Sequence, residues 1–263
     1  MTFRVYAGGN SPRVSLFYEF FRMDLFDLTL ASPAENLALD EALLDEAESS
    51  PLPLESLRLW ESPQPLVVVG RNSHFEQEVR LAECRTRGVP VLRRSSGGCA
   101  IVAGPGCLMY AVVLSYEVRP ALRSIEQAHQ FVLGTLQEAI RPLLGSGGAE
   151  LRRRGTSDLT LGNVKFSGNS LRCRRRNLLY HGTLLYDFPL EMVEQCLTMP
   201  PRVPDYREHR EHQAFIANLP VSRAALRKSL IEAWQVNPAE RDWPRDRVQE
   251  LAAVHKASAA REE

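Results

Sequence analysis

Neither sign of charge prevails in this chain of 263 residues: Lys plus Arg and Asp plus Glu both number 32. That balance removes any overall electrostatic case for nucleic acid or a membrane surface as partner. Cysteine is sparse and odd in number, with five residues at Cys84, Cys99, Cys107, Cys173 and Cys196. No Cys-x-x-Cys and no Cys/His cluster occurs, which argues against zinc and for reduced thiols in a cytoplasm-like compartment. No apolar run approaches the length of a bilayer span. Met1-Thr2-Phe3-Arg4 leads into no long apolar stretch, and the run 14–21 is broken by Glu19, so no secretory signal is expected. A Gly-x-x-x-x-Gly-Lys-Ser/Thr loop is missing, which excludes a P-loop ATPase. Internal repeats and low-complexity linkers are missing too. The expectation is a cytoplasmic protein without a membrane segment.

What is present has the proportions of a globular protein with a real core, 44% hydrophobic and 24% charged. Residues 1–22 form an N-terminal extension of unclear role, with Met23 a candidate alternative start. A strand is expected over 25–28. Ser32-Pro33-Ala34-Glu35 then carries the signals of a helix start: a capping hydroxyl, a proline at the first position and a glutamate to close the box. Leu37, Leu39, Leu43, Leu44 and Ala47 recur on that helix, with Asp40, Glu41, Asp45 and Glu46 expected outside. Strands are expected over 57–60, 66–69, 90–94, 108–116, 158–161 and 178–186, and a hairpin turn at Gly162-Asn163. Helices are expected over 75–87, from Ser124 to before Pro142, over 190–197 and over 222–234. This irregular order predicts an α+β fold, a largely antiparallel or mixed β-sheet core flanked by helices. A domain over 23–236 and a charged C-terminal tail over 237–263, with a helix around 247–256, complete the outline.

The chain is organised around Arg93-Arg94-Ser95-Ser96-Gly97-Gly98-Cys99. A strand empties there into a glycine turn, where backbone can lie close to a ligand, beside two guanidinium forks suited to carboxylate or phosphate. A β-hairpin with exposed arginines fits the same residues. Lys165, ahead of Phe166-Ser167-Gly168, can neutralise developing charge if its amine reaches a cleft; alone, such a lysine is more often a solvated hairpin residue. Arg152-Arg153-Arg154 and Arg172, Arg174, Arg175 and Arg176 form a local basic cluster. It lacks the aromatic interleaving of a nucleic-acid site and fits either a solvated face or a dock for an acidic protein.

Six stretches occur in order: Asn36-Leu37-Ala38-Leu39-Asp40, Leu57-Arg58-Leu59-Trp60, Gly70-Arg71-Asn72, the Arg93–Gly98 turn, Lys165-Phe166-Ser167-Gly168-Asn169 and His181-Gly182-Thr183-Leu184-Leu185. Together they resemble the catalytic domain of lipoate–protein ligases, within the biotin/lipoate ligase superfamily. The resemblance implies activation of lipoate or octanoate by ATP to an acyl-adenylate, then transfer to a lysine of a lipoyl domain. Acceptors would be the lipoyl domains of 2-oxoacid dehydrogenases or the glycine cleavage H protein. It implies Lys165 as the catalytic residue at the acyl carbonyl and α-phosphate. Arg71, Arg93 and Arg94 would hold anions, and Ser96, Gly97 and Gly98 would lie against the adenylate. Ser167, Gly168, His181 and Thr183 would complete the substrate and ATP site. Asp158 matches an acidic position near the adenylate, a phosphate-bound Mg²⁺ and the attacking amine.

Three positions depart from the family pattern. Cys99 stands for a glycine, Ala103 for a histidine, and Cys107 or Met109 for an asparagine, which leaves a drifted, non-catalytic homologue open. Little chain follows Trp234, so a partner is expected to supply the accessory domain of longer members, unless the enzyme works without it. The alternative is an octanoyltransferase moving octanoate from acyl carrier protein through a cysteine thioester. The stretch matching that nucleophile, 155–163, holds no cysteine. Biotin ligase is disfavoured because its Arg- and Gly-rich turn is missing.

Overall fold

The computed structural model describes residues 23–239 and 241–260; the expectation for residues 1–22 lies outside them. Eleven strands follow in chain order: β1 Met23–Asp27, β2 Glu55–Trp60, β3 Leu66–Val69, β4 Val91–Arg93, β5 Ile101–Ala103, β6 Cys107–Ser115, β7 Leu151–Arg154, β8 Asp158–Leu161, β9 Val164–Cys173, β10 Asn177–Leu185 and β11 Asn237–Pro238. An eight-stranded sheet runs β11-β1-β2-β6-β10-β9-β8-β7, and a three-stranded sheet runs β4-β3-β5. The large sheet is parallel at β11-β1-β2 and antiparallel elsewhere, and β3 pairs parallel with β4 and antiparallel with β5. The mixed α+β expectation is met.

The helices are α1 Pro33–Ser49, α2 Phe75–Glu78, α3 Leu81–Thr86, α4 Ile125–Ile140, α5 Glu191–Cys196, α6 His212–Phe215, α7 Arg223–Trp234 and α8 Arg245–Ala260. The single helix expected over 75–87 is two short ones. Val79 breaks the run by bridging to Leu197, and the Arg80 N–H donates to Cys196 O at 2.8 Å. The capping box of α1 forms as expected, Ser32 Oγ accepting from Glu35 N–H while Glu35 accepts from Ser32 N–H.

All nine residues of β6 are buried because helices cover both faces of the large sheet. Strand alternation divides them cleanly. Leu108, Tyr110, Val112 and Leu114 join the core under α4 and α7, whereas Met109, Ala111 and Val113 join the core shared with α1, α8 and the small sheet. A cleft opens on that second side.

The expected exposure of two acidic residues is corrected here. Asp40 and Glu41, expected outside on α1, are 3% and 8% exposed. Amphipathic spacing marks one covered face, but α8 packs on the other. Asp40 Oδ1 binds Arg58 Nη1 at 2.5 Å, and this fully buried guanidinium also donates to Asn36 O, Asn36 Oδ1 and Leu28 O. Burial pulls the Arg58 pKa down, and Asp40 opposes that shift. The charged tail expected over 237–263 carries its expected helix as α8; beyond that expectation, β11 joins the large sheet and Val248, Leu251 and Ala252 of α8 are buried.

Asp40→Ala leaves Arg58 buried without its carboxylate and is expected to lower unfolding free energy by about 3–5 kcal/mol. The urea midpoint reads this directly; a loss below about 1 kcal/mol would mean that the carbonyls alone hold the guanidinium.

Candidate active site

Strand β4 delivers Arg93 and Arg94 to the glycine turn, and both guanidiniums bind backbone. Arg93 Nη1 donates to Gly70 O and Ser73 O, each at 2.8 Å, with the guanidinium stacked over Phe75. Arg94, 8% exposed, donates to Val68 O, Gly97 O and Cys99 O at 3.0, 2.5 and 3.0 Å. Both fasten the turn: buried Arg94 needs acceptors and the turn supplies carbonyls, and half-buried Arg93 binds the adjoining loop. Arg71 is exposed on the adjoining loop, and its N–H donates to Ser96 O at 2.8 Å. The loop and the turn touch so closely that a Cβ on Gly70 would lie 1.9 Å from Gly98 O, and Gly98 itself has φ +89°. Neither position accepts a side chain without moving the turn.

Ser96 Oγ accepts from Arg94 Nε at 3.1 Å and lies 2.5 Å from His181 Nε2, while His181 Nδ1 lies 3.8 Å from Asp40 Oδ2. Both ring nitrogens of His181 therefore face protein groups. With the ring proton on Nδ1, towards Asp40, Nε2 accepts from the Ser96 hydroxyl.

Lys165 reaches the cleft through a bulge. Counted from Gly168, a regular strand would put Lys165 on the opposite face of β9. The β8–β9 register shifts between Leu159 and Thr160, so Asp158 pairs with Gly168 and Thr160 with Lys165. Both charged residues then share the face of Gly168, and Lys165 Nζ lies 2.8 Å from Asp158 Oδ1. Tyr206 OH donates to Asp158 Oδ2 at 2.7 Å, and burial beside that carboxylate raises the phenol pKa well above its usual range.

These groups border a cleft of about 450 Å³. Arg94, Gly98, Asp158, Lys165, Ser167, Gly168, His181 and Thr183 line it; Arg71, Arg93, Ser96 and Gly97 do not. Thr183 Oγ1 accepts from Gly168 N–H at 3.3 Å, and Ser167 Oγ bonds to Asn169. Leu37, Val68, Val102, Met109, Leu185 and Val193 make an apolar part of the wall, continuous with the core. The cleft thus pairs an apolar recess with a cationic amine and a glycine backbone.

Sequence reasoning missed three contributors. Glu78, 4% exposed, accepts from the Ala100 N–H at 2.5 Å, although its helical setting reads as solvated. Asn169 links Tyr110 OH, Ser157 O and Ser167 within the quoted Lys165–Asn169 stretch. The proline-rich segment 198–216 covers one wall and is tied down by the Ala217 N–H to Lys165 O bond at 2.9 Å. It carries no periodicity to announce it.

The family model of the lipoyl protein ligase A/B catalytic domain matches residues 32–230. The chain belongs to this family. It is 33% identical over 207 residues to a putative lipoate-protein ligase A of Aeropyrum pernix, covering 79% of this chain and 72% of that protein. It is 31% identical to a probable lipoate-protein ligase A of Mycoplasma genitalium, covering 64% of this chain and 47% of that protein. Octanoyltransferase LipM of Geobacillus kaustophilus is 25% identical, with 64% of this chain and 66% of that protein covered. The chain thus spans about half the length of some ligase relatives and nearly three quarters of another. Among solved structures, the bi-partite lipoate protein ligase of Thermoplasma acidophilum, described with its E2 lipoyl domain, superposes with a TM-score of 0.70 at 22% identity, covering 89% of this chain and 91% of that one. A lipoate-protein ligase A bound with ATP gives 0.65 at 23% identity, covering 89% and 94%. At these identities the structural likeness is one of fold.

Within this ligase family fold, three further expectations meet the geometry. Asp158 faces Lys165 with one oxygen and Tyr206 with the other, and no group of three His, Cys, Asp or Glu among the described residues is arranged to hold a metal. A Mg²⁺ there would rest on Asp158, phosphate oxygens and water. The basic cluster is largely paired internally, Arg153 with Glu126, Arg172 with Glu41 and Arg174 with Asp45. No helix among the described residues is long and apolar enough to cross a membrane.

Burial and Glu78 push the Cys99 thiol pKa up, against Lys165 and Arg94, and burial pushes Cys107 up to about 12. Fewer thiolates then exist at neutral pH than in a free cysteine. Iodoacetamide at pH 7 is expected to label exposed Cys173 before Cys99; peptide mass mapping that finds Cys99 first would restore it as a nucleophile.

Proposed function

We propose that this protein is an ATP-dependent lipoate–protein ligase. It would activate lipoate or octanoate as the acyl-adenylate and transfer the acyl group to a lysine of a lipoyl domain. The observation that carries this reading is the Lys165–Asp158 pair, set by the β9 bulge at the wall of a cleft with an apolar recess. The names of its relatives support the ligase assignment.

In the first step an acyl carboxylate oxygen attacks the α-phosphorus of ATP, and pyrophosphate leaves. Two anions must meet, so a fixed cation at the junction lowers the barrier. Lys165 supplies it, leaving Asp158 for the phosphate and acyl oxygens as they arrive. The Gly98 backbone presents a wall without a side chain, and exposed Arg71 flanks the turn to screen the polyphosphate. In the second step the neutral acceptor amine attacks the acyl carbonyl, an amide forms and AMP leaves. Lys165 then stabilises the carbonyl oxygen as charge builds, and Asp158 takes up the proton released by the amine. His181 and Ser96 brace the turn from within. Mg²⁺ would ride on the phosphates and offset their charge.

An octanoyltransferase is the second reading, supported by the LipM relatives. It needs a reactive thiol, and the raised Cys99 and Cys107 pKa values oppose it. Acceptors would be lipoyl domains of 2-oxoacid dehydrogenases or the glycine cleavage H protein, with or without an accessory partner.

Intact mass of an apo lipoyl domain decides between the readings. A gain with lipoate, ATP and Mg²⁺, and none with octanoyl-acyl carrier protein alone, supports the ligase; the reverse supports the transferase. Lys165→Ala is expected to slow the ligase by about 10²–10³-fold, with the melting temperature nearly unchanged because the pair is partly exposed. Full activity in that variant would remove Lys165 from the mechanism.

A further inference from the structure

The family match ends at residue 230, yet α8 lies beyond it, against α1 and β4. Val248, Leu251 and Ala252 anchor the helix in the core. One turn further on, His255, 7% exposed, hydrogen-bonds to the main chain of Arg93, on the strand that enters the glycine turn. His255 Nε2 lies 3.8 Å from Glu41 Oε2; Glu41 Oε1 lies 3.0 Å from Arg172 Nη1, which donates to Ser95 O at 3.2 Å. The turn backbone is therefore held from behind at residues 93 and 95. The holding set, His255 at residue 93 and the Glu41–Arg172 pair at residue 95, spans α8, α1 and β9. None of its members lines the cleft.

On the cleft side the same turn is fastened by Arg94 to Gly97 O and Cys99 O, and by Ser170 Oγ to Gly97 O at 2.9 Å. A Gly97-Gly98 backbone has many conformations available, and fixing its carbonyls from both sides selects one. We propose that α8, through His255, is a positioning element of the acyl-adenylate site, holding residues 93–98 in the conformation that Gly98 and Arg94 present to the cleft. The activity readout rests on the ligase reading above; the hold on the turn does not.

The test uses the full-length protein and two variants. His255→Leu keeps the buried bulk and removes the bond to the Arg93 main chain together with an Nε2 that has no hydrogen-bond partner, so the melting temperature should fall by no more than a few degrees. His255→Gln retains an amide donor. Hydrogen–deuterium exchange in peptides covering 93–101 should quicken at least tenfold in the Leu variant, because a competent conformation that drops to about a tenth of the population turns the open state from minor to major. The KM for the acyl acid in adenylate formation should rise by about the same factor, with a smaller change in kcat. The Gln variant should recover much of both effects.

Unchanged exchange at 93–101 in His255→Leu would overturn the proposal. So would a rise spread equally over β6 and β10, or a turn-specific rise with an unaltered KM. If the wild type makes no acyl-adenylate, the ligase reading fails, while a turn-specific rise in exchange still supports the hold on the turn.

Discussion

A single guanidinium ties the frame to the site. Arg58 projects from the buried strand β2 and takes Asp40, Asn36 and the Leu28 carbonyl as its acceptors. Removing such a cation from water is tolerable only when its donors are satisfied, so α1 and the segment after β1 have little freedom of placement. The constraint continues outward. The second oxygen of Asp40 faces His181, His181 bonds to Ser96, and Ser96 accepts from Arg94. A residue without access to the cleft thereby fixes the direction of a histidine that borders it.

The site shows a division of labour among its cations. Arg93 and Arg94 close on carbonyls and build the turn, whereas Lys165 meets a carboxylate at the cleft wall. An arginine fork directed at backbone is a permanent fastener, with a charge that does not titrate at physiological pH. A lysine with one carboxylate partner can exchange it for an arriving phosphate. The cleft therefore offers one readily redirected amine beside a turn that is already assembled.

Much of the fold was legible because strand alternation, the α1 capping box and the spacing of apolar residues are local signals. The six ordered stretches also brought the cleft residues Lys165, Gly168, His181 and Thr183 into one account. What the sequence concealed depends on distant packing. Asp40 and Glu41 look solvated until α8 is known to cover α1. Arg93 and Arg94 look like ligand forks until the carbonyls of residues 68, 70, 73 and 97 converge on them. The bulge that brings Lys165 onto the face of Gly168 leaves no residue signature, because one extra residue in β9 alters parity without altering composition.

The three consecutive arginines of β7 carry a different consequence. This strand is the outer edge of the eight-stranded sheet, four residues long, with its far side unpaired among the described strands. Unpaired strand edges invite pairing with another chain, and short length with concentrated positive charge discourages it. Two such edges brought together would align Arg152, Arg153 and Arg154 against their own kind. The basic run thus disfavours edge-to-edge pairing at this border of the sheet.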